Sequence, residues 1–141
     1  MAMDRLHDIA RLLISSLALV GGDEKTEIRT SGGALDRAIG ENLDRFPDWA
    51  RRELHIAHSR VGLQCVELPE ILGWAQAAEL TSAPNPYYRV IRLQASPRVA
   101  RVLLKRLQVP EEDARRLGEA IMASVESQPE EADESNVVVV D

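Results

Sequence analysis

The side chains best suited to chemistry are the six positively charged arginine and lysine side chains between Tyr87 and Leu107. No acidic residue occurs between Glu79 and Glu111, although the chain of 141 residues has a net charge of -6. Such a run can bind phosphate groups or an acidic protein surface, and two adjacent tyrosines can stack on bases. The candidate contacts for an anion or a nucleic acid are Tyr87, Tyr88, Arg89, Arg92, Arg98, Arg101, Lys105 and Arg106.

Three of these charged residues are spaced so that they form a row along one side of a helix. At about 100° per residue, Arg98, Arg101 and Lys105 fall within one sector of a helix, opposite much of its apolar stripe. The row is a candidate site for an anionic partner. The alternative is a solvated helix face whose charges pair with the acids at 111–113. The sequence leaves both interpretations open.

A helix-turn-helix that reads the major groove is disfavoured. The last predicted helix opens with Glu111, Glu112 and Asp113. These acids would face the DNA phosphates at the helix end where base-reading residues belong. We therefore expect at most a looser phosphate contact from the preceding helix.

His55, His58 and Cys65 are the residues that most resemble a metal or catalytic cluster. A structural zinc site needs four ligands, and no spacing such as H-E-x-x-H or paired C-x-x-C occurs. A catalytic thiolate needs a lowered pKa, whereas the apolar residues around Cys65 favour a raised thiol pKa and an inert core cysteine. We predict no metal, no cofactor, no catalytic residue and no enzymatic activity.

Composition favours a helical core. The chain is 45% hydrophobic but only 4% aromatic, so Leu, Val, Ile and Ala must fill the interior. The single cysteine excludes an internal disulfide and, with no convincing targeting segment, favours a cytoplasmic protein. No apolar run approaches the roughly 18 residues of a membrane-spanning helix. We expect no membrane partner.

The charge is unevenly divided along the chain. Residues 127–141 contain five acidic and no basic residues, which leaves residues 1–126 with a net charge of -1. We predict a single helical domain over 1–126 and an acidic flexible tail over 127–141. The tail could compete with an external polyanion for the basic segment.

Apolar periodicity predicts a mainly α fold, a compact bundle of five or six helices with at most a small two-strand element. Residues 25–30 are expected to be mostly loop unless 89–93 pairs with them, and 62–68 is ambiguous between strand and helix entry. One helix is predicted from about Asp48 to Arg60. Another, from Pro97 to Leu107, is predicted to bury Val99, Val102, Leu103 and Leu107.

Two features are candidates for docking a partner. Leu12 and Leu19 widen the apolar stripe of the first helix, which indicates burial on two sides, either in the centre of the domain or against a partner. The run of Val137, Val138, Val139 and Val140 is suited to joining the edge of another protein's sheet, with a frayed terminus as the alternative.

Two function classes follow from these features. The first is a non-catalytic protein-protein interaction or assembly subunit of a larger complex, whose partner is another protein or a second copy of the chain. The second is an accessory subunit that binds the backbone of RNA or DNA through the basic 87–107 segment. Phosphate binding should weaken steeply with salt, whereas hydrophobic docking should barely change.

Overall fold

The computed structural model describes residues 2–21, 27–30, 33–60, 62–81 and 90–127. Tyr87, Tyr88, Arg89 and Val137 to Val140 lie outside the described residues, as do residues 128–141 of the predicted tail. The α-helices and β-strands in the described ranges are α1 (Ala2–Gly21), β1 (Glu27–Arg29), α2 (Ala34–Glu41), α3 (Asp48–Arg51), β2 (Ile56–Ser59), β3 (Gly62–Cys65), α4 (Leu68–Ala77), β4 (Val90–Arg92), α5 (Pro97–Leu107) and α6 (Glu111–Glu126). The mainly helical fold is confirmed.

Helix α1 is the centre of the bundle. It packs against α4, α5 and α6, and its residues 12–16 are all buried. Because consecutive helical residues point about 100° apart, burial of five in a row requires neighbours on every side. Leu12 is 0% exposed and Leu19 is 6% exposed. The docking role considered for these two leucines is therefore wrong for this fold, since both already lie in the core.

The first strand pair joins segments that are distant in sequence. Strands β1 and β4 are antiparallel, with Ile28 opposite Ile91, and both isoleucines are buried. Arg92 Nη2 donates to Glu27 Oε2 at 3.0 Å across the pair. Residues 27–29, expected to be mostly loop, are a strand because 90–92 supplies the partner that a short strand needs.

The second strand pair replaces part of a predicted helix. Helix α3 ends at Arg51 rather than near Arg60, and residues 56–59 pair with 62–65 as an antiparallel hairpin. Gly62 opens β3 with φ of +114°, a backbone conformation that L side chains rarely adopt. The ambiguity of 62–68 resolves into strand β3 followed by α4. Helical periodicity was overridden here by pairing between neighbouring segments.

None of the helices in the described ranges is both long enough and apolar enough to cross a membrane. Helix α1 has 20 residues, but its length serves burial within the bundle. Its buried serines, Ser15 and Ser16, are packed among the other helices of the core.

Candidate interaction surface

Helix α5 has the ends that its sequence predicts. Ser96 is the N-cap, and its Oγ accepts a hydrogen bond from the Val99 backbone N–H at 3.2 Å. Pro97 occupies the first turn, where a missing N–H costs nothing. Gln108 ends the helix in a left-handed conformation with φ of +60°. These local signals define where α5 begins and ends, but not which side of it is buried.

The buried side of α5 differs from the predicted one. Ala100 and Leu104 are buried, and Leu103 and Leu107 pack against the core at its edge. Val99 is 43% exposed and Val102 is 49% exposed. The prediction that α5 buries both valines is therefore wrong. Helix α5 packs on α1 with Ala100 and Leu104 on its buried side, and the two valines therefore lie toward solvent.

The exposed valines lie among the positive charges. On a helix surface the nearest neighbours of a residue are three and four positions away. For Val102 these neighbours are Arg98, Val99, Lys105 and Arg106, and all of them are exposed. We define the α5 outer face as Arg98, Val99, Val102 and Lys105. It is an apolar pair bordered by cations.

Pairing with nearby acids accounts for only part of the predicted row. Glu111 Oε2 accepts from Arg101 Nε at 3.3 Å and from Arg115 Nη2 at 3.1 Å. Arg98 and Lys105 form no ion pair within the part of the chain that the structure describes. Exposed pairs of this kind contribute at most about 1 kcal/mol. Arg101 is thus partly neutralised, while the other two cations of the row stay available.

The remaining described charges of the basic segment are not part of the α5 outer face. Arg92 lies in β4 and pairs with Glu27. Arg106 is next to Val102 on the helix and lines a cleft together with Arg5 and Arg11 of α1. The structure therefore divides a run that is continuous in sequence among a strand pair, a helix face and a cleft.

Cys65 has the environment of a core cysteine. Its side chain is fully buried, and burial raises the pKa of the thiol to about 12, with the neighbouring carboxylates of Glu67 and Asp36 adding to the shift. Its backbone N–H donates to Asp36 Oδ1 at 2.8 Å, which ties β3 to α2. A thiol in this setting is held in its protonated, unreactive form.

Neither histidine lies in a helix, although the helix predicted from about Asp48 to Arg60 includes both. His58 lies in β2, and His55 precedes that strand. The Nδ1 atom of His55 lies 2.5 Å from Glu67 Oε2. The described ranges contain no group of three His, Cys, Asp or Glu side chains that could hold a metal ion.

Native Cys65 should react with an aromatic disulfide reagent far more slowly than an exposed cysteine. A pKa of about 12 leaves a thiolate fraction at mildly alkaline pH that is roughly a thousand times smaller than that of an ordinary cysteine. The release of thiolate from the reagent would be followed by absorbance, with the urea-unfolded chain as the control. A native rate close to the unfolded rate would contradict the buried setting and restore Cys65 as a candidate nucleophile.

The two exposed valines were missed by sequence reasoning, although a helical wheel contains the signal. At about 100° per residue, Ala100, Leu103, Leu104 and Leu107 cluster in one sector, and Val102 falls between Arg98 and Arg106. Alanine carries little weight in a hydrophobic pattern, so the pattern predicts burial of Val99 and Val102 where the structure buries Ala100 and Leu104.

No protein-family model, no curated protein and no solved structure matches this chain.

Proposed function

We propose that the protein is a non-catalytic interaction subunit that binds an acidic segment of a partner protein through the α5 outer face. One observation carries the proposal: Val102 is 49% exposed, and its neighbours on the helix are all exposed and mostly cationic, namely Arg98, Val99, Lys105 and Arg106. Single exposed valines are common and need no explanation. A pair of them bordered by cations that lack acidic partners in the described residues favours a partner with carboxylates around apolar side chains.

The two kinds of side chain contribute differently to binding. Fully burying a valine stabilises by roughly 1.5–3 kcal/mol, so covering the exposed parts of Val99 and Val102 supplies affinity. Arg98 and Lys105 mainly supply the rate of encounter and the selection of an acidic partner. We therefore expect an interface that survives moderate salt but forms more slowly in it.

Binding to the backbone of a nucleic acid is the second candidate. It is supported by the three cations, Arg98, Lys105 and Arg106, that form no ion pair within the described ranges. The exposed valines contribute nothing to a phosphate contact, which places this function second. Neutralising three phosphates would give a slope of about -2 to -3 for the logarithm of the binding constant against that of salt.

Substitutions of the charged residues or of the valines on the α5 outer face should weaken the binding of the partner protein. We expect Arg98→Glu with Lys105→Glu, and separately Val99→Ser with Val102→Ser, to weaken binding at least about 10-fold, because buried apolar contacts and charge complementarity are both lost. The tagged full chain would be purified from its native cells, the co-purifying protein identified, and its affinity for each variant measured by calorimetry.

Matched controls lie elsewhere on the surface. Val66→Ser removes another exposed valine, and Arg116→Glu reverses an exposed cation of α6 that pairs with Glu112. Both should leave the partner's affinity unchanged. A partner that binds all variants equally would refute the α5 site. If nuclease-sensitive nucleic acid is recovered instead of protein, with the steep salt dependence given above, the second function replaces the first.

A further inference from the structure

A second positively charged site lies between α1, α3 and α5. It is a cleft of about 580 Å³ lined by Arg5, Arg11, Trp49 and Arg106, among others. Volumes of roughly 300–1,000 Å³ are typical of small-molecule sites. Only Arg106 of these residues belongs to the basic segment of the sequence, so the cleft is created by the packing of the helices.

The cleft carries an excess of positive charge. Its one acidic lining residue is Asp8, and Arg11 Nη1 donates to Asp8 Oδ1 at 3.0 Å. Arg5 and Arg106 form no ion pair in the described part of the chain. With Asp8 matched by Arg11, two guanidinium groups remain for a ligand, in a protein whose net charge is -6. A general attraction for anions is therefore absent, and any binding must come from this local arrangement.

One of the two guanidinium groups lies over an aromatic ring. The Cζ atom of Arg5 lies 5.5 Å from the centroid of the Trp49 ring, a distance at which the ring attracts the cation. Arg106 belongs to α5 and lines the same cleft. Trp49, Leu103 and Leu107 pack against the core and give the cleft an apolar wall.

We propose that this cleft binds a phosphorylated small molecule of the nucleotide type, with its phosphates on Arg5 and Arg106 and its flat body against Trp49, Leu103 and Leu107. Planar guanidinium groups match phosphate oxygens with paired hydrogen bonds. The apolar wall selects a ligand with a ring system over a bare anion. The cleft adjoins the α5 outer face at Arg106, which is four residues after Val102, and extends from there to Leu103 and Leu107, which lie farther around the helix.

Calorimetry on the full chain at low ionic strength would compare three probes: adenosine triphosphate, inorganic tripolyphosphate and adenosine. The first carries both charge and ring, the second only the charge, and the third only the ring. We expect adenosine triphosphate to bind most tightly and adenosine most weakly. Equal affinity for adenosine triphosphate and tripolyphosphate would overturn the assignment of a nucleotide, and the absence of binding by either would overturn the site.

Substitution of the two arginines locates the binding. The double substitution Arg5→Gln with Arg106→Gln should weaken the binding of adenosine triphosphate at least about 10-fold, since charge-assisted hydrogen bonds are lost. Arg98→Gln is the matched control for Arg106→Gln, because it makes the same charge change on the same helix but outside the cleft. An equal loss in the control would refute the cleft. Thermal melting should be nearly unchanged in all these variants, since the three arginines are exposed.

Discussion

Replacing Gly118 by alanine should lower the free energy of unfolding by about 3 kcal/mol, because an added methyl group here has no space. A Cβ atom at Gly118 would lie 2.2 Å from the Ser16 carbonyl oxygen and 2.9 Å from Val20 Cγ2. The oxygen belongs to the backbone of α1 and cannot rotate away. Helices α1 and α6 would have to separate, and α1 is the element around which the bundle packs.

Gly73→Ala is the matched control for this substitution. Gly73 lies within α4, and a Cβ atom there would have no neighbour within 4 Å. Alanine loses less backbone entropy than glycine in a helix, so this variant should be more stable by about 0.5–1 kcal/mol. Urea unfolding followed by circular dichroism measures both. A Gly118→Ala protein as stable as the wild type would mean that α1 and α6 do not approach as closely as described.

Leu12→Ala should cost about 2–5 kcal/mol of folding stability, the usual range for truncating a buried leucine. Leu12 is fully buried in α1, and the substitution would remove its packing contacts in the core. Val102→Ala, by contrast, should change stability by no more than about 0.5 kcal/mol, because this side chain is half exposed. The sequence pattern alone predicts burial for Val102 and allows a docking role for Leu12.

The two variants are compared best by urea unfolding under identical conditions. Similar slopes of unfolding free energy against urea for both proteins would show that the unfolded states are comparable. A small effect of Leu12→Ala together with a large effect of Val102→Ala would show that α5 is packed in the orientation predicted from sequence. In that case the α5 outer face would not exist as a binding surface.

Signals that depend on neighbouring residues were read correctly from the sequence. The cap at Ser96, the proline at position 97 and the acidic first turn of α6 place helices α5 and α6 at the observed residues. These signals act on backbone groups within one helical turn. These signals can therefore be recognised in the sequence without knowledge of the fold.

Pairing between distant residues could not be predicted from such local signals. Strand β1 depends on β4, more than sixty positions later, and no local pattern in either segment requires the other. The hairpin of β2 and β3 overrode a helical period that continued past Arg51. Secondary structure of short segments is decided by the partner they find, because a lone strand leaves its hydrogen-bonding groups unpaired.

Helix α5 shows which features are determined by local sequence and which by tertiary packing. The sequence by itself determined that a helix of this length carries Arg98, Arg101 and Lys105 in a row, since charge and helical spacing are local properties. Only the tertiary structure decided that Val99 and Val102 are exposed beside this row, that Glu111 pairs with Arg101, and that Arg106 lines a cleft with Arg5 and Arg11. Exposure and pairing depend on which surfaces pack together, and α5 packs on α1 with Ala100 and Leu104 buried.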